Sequence, residues 1–124
     1  MTKFSLSNQS DITRKKERKR TMKLITAQNQ SDLIARVSGD IDHHSAPLIR
    51  EEIDRLLLET KPERLLLDLS ETDFMDSSGL GLILGRKRKT EEIGAVLVLV
   101  NPTQGCLKIL RLAGMENQIE MKYM

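Results

Sequence analysis

Arg64-Leu-Leu-Leu-Asp-Leu69 and Ala95-Val-Leu-Val-Leu-Val100 bracket the segment Asp76-Ser-Ser-Gly-Leu-Gly-Leu-Ile-Leu-Gly85. The two outer runs are short and nearly all apolar, the pattern of strands buried on both faces of a sheet. Between them a helix is predicted from near Ser77, through Leu80, Ile83 and Leu84, to about Glu92, with Gly94 ending it. Strand, helix and strand in succession put residues 64–69 near the middle of the sheet.

Outward from this unit, the pattern continues in both directions. Residues 22–28 and 32–38 are two β-prone runs separated by Asn29-Gln30-Ser31, which reads as a hairpin. After Gly39, Ser45 is a suitable N-cap for a helix in which Ile49, Ile53, Leu56 and Leu57 recur at helical spacing, with Glu51, Glu52 and Arg55 on the other face and Pro62 beyond its end. Downstream, Pro102 opens a short helix containing Leu107, Leu110 and Leu112, Gly114 closes it, and residues 119–123 supply a last edge strand. The expected class is therefore α/β, one domain over residues 22–124, with a mixed sheet of four to five strands that starts with a β-hairpin.

Composition bounds the function. A chain of 124 residues encloses one core, and with 2% aromatic residues that core must be aliphatic. No apolar run approaches the roughly 18 residues of a membrane span and no signal-peptide pattern is present, so a cytoplasmic location with no membrane attachment is expected. Cys106, the single cysteine, excludes an internal disulfide and a cysteine-rich metal site, and reads as a buried helix residue. The formal charge of +2 conceals an asymmetry: residues 24–124 hold 12 basic against 16 acidic side chains, while the basic excess sits in Arg14, Lys15, Lys16, Arg18, Lys19 and Arg20. A mildly acidic body with few aromatic side chains argues against direct nucleic-acid binding. Residues 1–21 read as a disordered basic tail. Their purine-codable run, where a ribosome-binding site would lie, makes Met22 the expected natural start.

The segment from Asp76 to Gly85 is the least ordinary. Each glycine inside a helix costs about 1 kcal/mol relative to alanine, so Gly79, Gly81 and Gly85 need a reason. At 100° per residue, Leu80, Ile83 and Leu84 form the stripe expected to face the core, leaving Ser78, Gly81, Leu82 and Gly85 on the opposite side. That flat side suits a partner surface; alternatively, Gly81 and Gly85 let the helix lie close to the sheet or a neighbouring helix. Ser77, at the helix start, is either an N-cap or a place where the backbone N–H groups favour an anion.

Two enzymatic readings fail on spacing. A dinucleotide fingerprint needs its third glycine three residues after the second, whereas Gly85 lies four after Gly81, and Gly79 falls ten residues beyond Leu69 instead of in the turn after a strand. Asp42-His43-His44 holds both histidines of the chain, and adjacent side chains are expected to diverge, leaving no complete metal site. No cofactor is expected. Ser77 has no evident activating base, which an acceptor for another protein's kinase does not need.

Gly39-Asp-Ile-Asp-His-His-Ser-Ala46, followed about thirty residues later by Phe74-Met-Asp-Ser-Ser-Gly-Leu-Gly-Leu-Ile-Leu-Gly-Arg86, resembles the anti-sigma factor antagonists of the STAS domain family. The resemblance spans roughly residues 22–124; Asp40 and Ser45 are conservative departures from the pattern. It implies a single STAS-type domain with helices packed mainly on one face of the sheet, and a switch protein rather than an enzyme. It further implies that Ser77 is the phosphoacceptor and that Asp42 is an acidic contact to the partner. The implied partners are an anti-sigma factor serine kinase and a phosphatase acting on phospho-Ser77, with the protein a monomer or weak dimer; in other STAS domains a purine nucleotide is thought to act as a regulatory ligand. Asp42, His43, His44, Asp76, Ser77, Ser78, Gly79, Gly81 and Leu82 are the expected partner-binding residues.

Overall fold

A computed structural model describes residues 5–12, as backbone, and 22–124. Six strands and three helices follow one another as β1 (Ser5–Ile12), β2 (Met22–Asn29), β3 (Asp32–Ser38), α1 (Ala46–Thr60), β4 (Arg64–Glu71), α2 (Ser77–Glu92), β5 (Val96–Val100), α3 (Gln104–Leu112) and β6 (Glu120–Lys122), with a 3-10 turn at Glu116–Gln118. The strands lie in sequence order across one sheet. β1, β2 and β3 pair antiparallel, and β3 to β6 pair parallel. The sheet is mixed, as expected, and β4 sits between β3 and β5. Of the sequence expectations here, one fails: Ser5–Ile12, inside the segment read as a disordered tail, forms β1 against β2. The basic run from Arg14 to Arg20 lies outside the described residues.

The hairpin between β2 and β3 turns through Gln30 and Ser31, with Gln30 at a φ of 59°. β4 and β5 are buried on both faces, as their apolar runs require. One face carries all three helices: Leu33, Ala35, Val37, Leu65, Leu67, Leu69, Leu97 and Leu99 of the strands pack with Ile49 and Ile53 of α1, Leu82 and Ile83 of α2, and Cys106 and Leu110 of α3. The other face holds a smaller cluster of Leu66, Val98 and Val100. At 25–30 cal/mol per Å² of apolar area removed from water, the larger cluster is the main source of stability. Among the described residues no helix is long and apolar enough to cross a membrane.

Candidate functional site at the start of the second helix

Two loops meet above the ends of β3 and β4. The loop after β3 carries Asp42, His43 and His44; the loop after β4 leads into α2. They are stitched by backbone hydrogen bonds. Gly39 N–H donates to Glu71 O at 3.0 Å, Ile41 N–H to Phe74 O at 3.1 Å, and Asp76 N–H to Ile41 O at 3.2 Å. Ile41 and Met75 thereby form a parallel bridge, and both side chains are fully buried. The two segments singled out in the sequence are thus neighbours because β3 and β4 are parallel and both end on the same edge.

At the helix start, the cap is Asp76. Its carboxylate accepts from Ser78 N–H at 2.7 Å with extended backbone at Asp76. Ser77 is therefore released from capping: it is the first helical residue, exposed, and its hydroxyl makes no hydrogen bond among the described residues. Gly79 is there for a different reason. A Cβ at this position would lie 2.6 Å from the Cβ of Met75 and 2.9 Å from its sulfur, so any larger residue would push α2 off the buried Met75.

That seat fixes the rotation of the helix and corrects the expected faces. The buried side of α2 is Gly79, Leu82, Ile83, Arg86 and Thr90, while Leu80 and Leu84 flank it half-buried. Leu82, expected on the exposed side, is only 4% exposed and belongs to the core. The wheel of Leu80, Ile83 and Leu84 alone does not contain the seat of Gly79 on Met75, which turns Leu82 inward with Arg86 and Thr90. Gly81 and Gly85 do lie on the outward side, and a Cβ on either would meet nothing within 4 Å. Close packing within the chain therefore does not explain these two glycines.

In the facing loop, Asp42 Oδ1 accepts from the backbone N–H of His44 at 2.9 Å and of Ser45 at 3.0 Å, and Asp42 N–H donates to Ser45 Oγ at 3.0 Å. Ser45 is the N-cap residue of α1 by position but its side chain bonds no N–H of the helix; it donates to Asp40 O instead. Partial burial alone would raise the pKa of Asp42, but the hydrogen bonds from Ser45 and His44, with the nearby His44 charge, outweigh it and hold the carboxyl below the ordinary aspartate range. All the hydrogen bonds that Asp42 accepts here fall on Oδ1. His43 and His44 are exposed, and their rings do not diverge as expected: the centroids are 3.9 Å apart with a 39° tilt. Among the described residues no group of three His, Cys, Asp or Glu side chains could hold a metal.

Behind the loop that leads into α2, Thr72 donates to Val37 O at 2.9 Å, and its own carbonyl accepts from Thr103 Oγ at 2.5 Å. Gly105 of α3 lies so near the Asp73 carbonyl that no Cβ fits. Sequence reading missed this brace, and it missed Arg86, which is buried beside Asp54 of α1. Only the spacing of Arg86 from Gly79 and Leu82, seven and four residues on one helical stripe, signalled it.

Residues 23–123 match the STAS domain. The chain belongs to the STAS domain family. Among STAS proteins it is 34% identical over 83 residues to the anti-sigma F factor antagonist of Paenibacillus polymyxa, covering 67% of this chain and 71% of that protein. It is 29% identical over 94 residues to the anti-sigma-B factor antagonist of Bacillus subtilis (strain 168), covering 76% and 84%. The fold is similar to that of the anti-sigma factor antagonist SpoIIAA in its unphosphorylated form, with a TM-score of 0.68 and 27% identity over 81% of this chain and 86% of that one. STAS membership accounts for the mixed sheet with helices on one face.

Proposed function

We propose that this STAS domain is an anti-sigma factor antagonist whose unphosphorylated form binds an anti-sigma factor serine kinase and releases a sigma factor, and whose phosphorylation on Ser77 switches that binding off. The observation that carries the reading is the exposed, uncommitted hydroxyl of Ser77 at the head of α2, with Asp76 already serving as the cap. The names of the related antagonists support the role. SpoIIAA, a structural neighbour at 27% identity, has both an unphosphorylated and a phosphorylated form.

The chemistry is coherent. A phosphate adds about −1.5 to −2 charges and three acceptor oxygens at a helix start, where the free N–H groups of the first turn favour an anion. The domain itself is thus not disrupted. The added charge stands next to Asp76 and near the Asp42 loop, on a body with an acidic excess, so a partner seated over this patch is repelled and denied close approach. The catalytic groups and the ATP belong to the kinase, the reverse step to a phosphatase, and the antagonist supplies only the acceptor and the shape that presents it. Asp42, His43, His44, Asp76, Ser78 and Gly81 frame that surface; Gly79, expected on it, is buried against Met75, and with Leu82 it supports the surface from within.

Incubation with candidate anti-sigma factor kinases and ATP, followed by phosphosite mapping, tests the proposal. Phosphate is expected on Ser77, and Ser77→Ala should abolish incorporation while its thermal unfolding stays that of the parent. Phosphate found only on Ser78 would overturn the residue assignment, and none with any kinase the function.

A further inference from the structure

The first turns of α1 and the outward flank of α2 enclose a groove of 420 Å³ whose lining includes His43, Arg50, Ser78, Gly81, Gly85 and Arg86. Its floor is unusual. Arg86 is 4% exposed, yet its Nε and Nη1 have no hydrogen-bond partner. Nε lies 3.1 Å from Asp54 Oδ1, within ion-pair distance but misaligned, since that oxygen is unpartnered as well. Leaving buried polar atoms unpaired costs more than pairing them returns, so a guanidinium held this way is incomplete without another group. Arg50, exposed on the same wall, makes no ion pair among the described residues. Burial lowers the pKa of Arg86, the charge of Asp54 partly offsets this, and Arg50 adds to the lowering.

We infer that this groove is the receptor for a single carboxylate side chain of the anti-sigma factor, taken by Arg86 with Arg50 at the rim. The inference rests on the antagonist reading and names the chemistry of its contact. Two arginines against one aspartate leave one positive charge uncompensated, which matches one carboxylate and not a polyphosphate. The planar fork of a guanidinium is shaped for a carboxylate. The walls made by Ala46, Pro47 and Leu82 suit the methylene stem of a Glu or Asp. The missing side chains at Gly81 and Gly85 let a partner backbone come near enough for so short a side chain to reach the floor. This also gives the two glycines a purpose that packing inside the chain does not.

The test measures affinity of the full chain for its anti-sigma factor by calorimetry at two salt concentrations, with thermal unfolding of every variant as control. Asp54→Asn removes the competing carboxylate and is expected to tighten binding severalfold, although it removes a native ion pair. Arg50→Gln is expected to weaken binding by about fivefold, as for a solvent-exposed charge contact, and to flatten the salt dependence. Failure of the parent protein to bind overturns the antagonist reading and this inference with it. Parent binding that is unchanged in Arg50→Gln, or weakened in a folded Asp54→Asn, overturns the carboxylate receptor alone. Displacement of the anti-sigma factor by inorganic sulfate or by a nucleotide, in place of an effect of Asp54→Asn, would assign the groove to a free oxyanion and also overturn it.

Discussion

Helices α1 and α2 lie side by side on one face of the sheet, yet they are built to different ends. In α1 an aliphatic stripe of Ile49, Ile53, Leu56 and Leu57 faces the core, and Arg55 pairs with Glu52 and Glu59 on the solvent side. Beyond its first turns, most of its residues serve the helix itself or its core stripe. In α2 three glycines occupy the first nine positions and the buried stripe includes Arg86 and Thr90. Such a sequence forms a helix because tertiary contacts hold it, above all the seat of Gly79 on Met75 and the insertion of Leu82 and Ile83. The contrast teaches that α1 is a regular amphipathic helix of which the first turns reach the groove, whereas α2 gives up intrinsic helix stability to keep one side bare.

If that contrast holds, substitutions on the two sides of α2 should differ in sign. The largest effect belongs to the buried side: Leu82→Ala is expected to lower unfolding free energy by about 2–4 kcal/mol through lost burial and a cavity between α1 and α2, read from urea denaturation. Next comes Gly79→Ala, which forces a methyl group into Met75 and should destabilise by about 1–3 kcal/mol; a variant as stable as the parent would show that the seat is not tight. On the bare side, Gly81→Ala enters open space and should stabilise the free domain by about 0.5–1 kcal/mol while weakening its complex with the anti-sigma factor. A stabilised variant that binds undiminished would return Gly81 to an accident of sequence.

The smallest effect is electrostatic. Because the carboxyl of Asp42 titrates below its ordinary value in the folded chain, its stabilisation is present above the unfolded aspartate value of about 3.9 and lost as pH falls through the lower folded one. Asp42→Asn keeps an acceptor for the His44 and Ser45 N–H groups without the charge. Unfolding measured between pH 5 and pH 3 should therefore decline more steeply in the parent than in this variant.

The sequence carried most of this architecture. The apolar runs of β4 and β5, the stripe of α1 and the stops at Pro62, Gly94 and Gly114 were all legible, because periodicity and turn chemistry are local. So was the segment from Asp76 to Gly79, whose meeting with the Asp42 loop follows from two parallel strands. What escaped was set by tertiary context. Ser5–Ile12 is polar and low in β-propensity, and it becomes a strand only through the edge that β2 offers. The rotation of α2 depends on a contact with Met75 that no helical wheel contains, so Leu82 was placed on the wrong side. Arg86 reads as surface from its charge, and only the fold buries it beside Asp54.

The bridge between Ile41 and Met75 bears on how a kinase would meet Ser77 under the proposed function. Many kinases take their acceptor from a slack length of chain that drapes into the catalytic cleft. Here Ser77 sits one residue beyond Asp76, whose N–H is tied to Ile41, and it begins a helix anchored by Gly79. Drawing the serine outward would break the stitching to the Asp42 loop and unwind the first turn together. Under the proposed function, a kinase acting on Ser77 would have to accept the domain entire and fit its cleft around this corner. Under that proposal, a short peptide copying residues 74–81 should be a poor substrate, because the corner around Ser77 is a junction of two chain segments that no single segment contains.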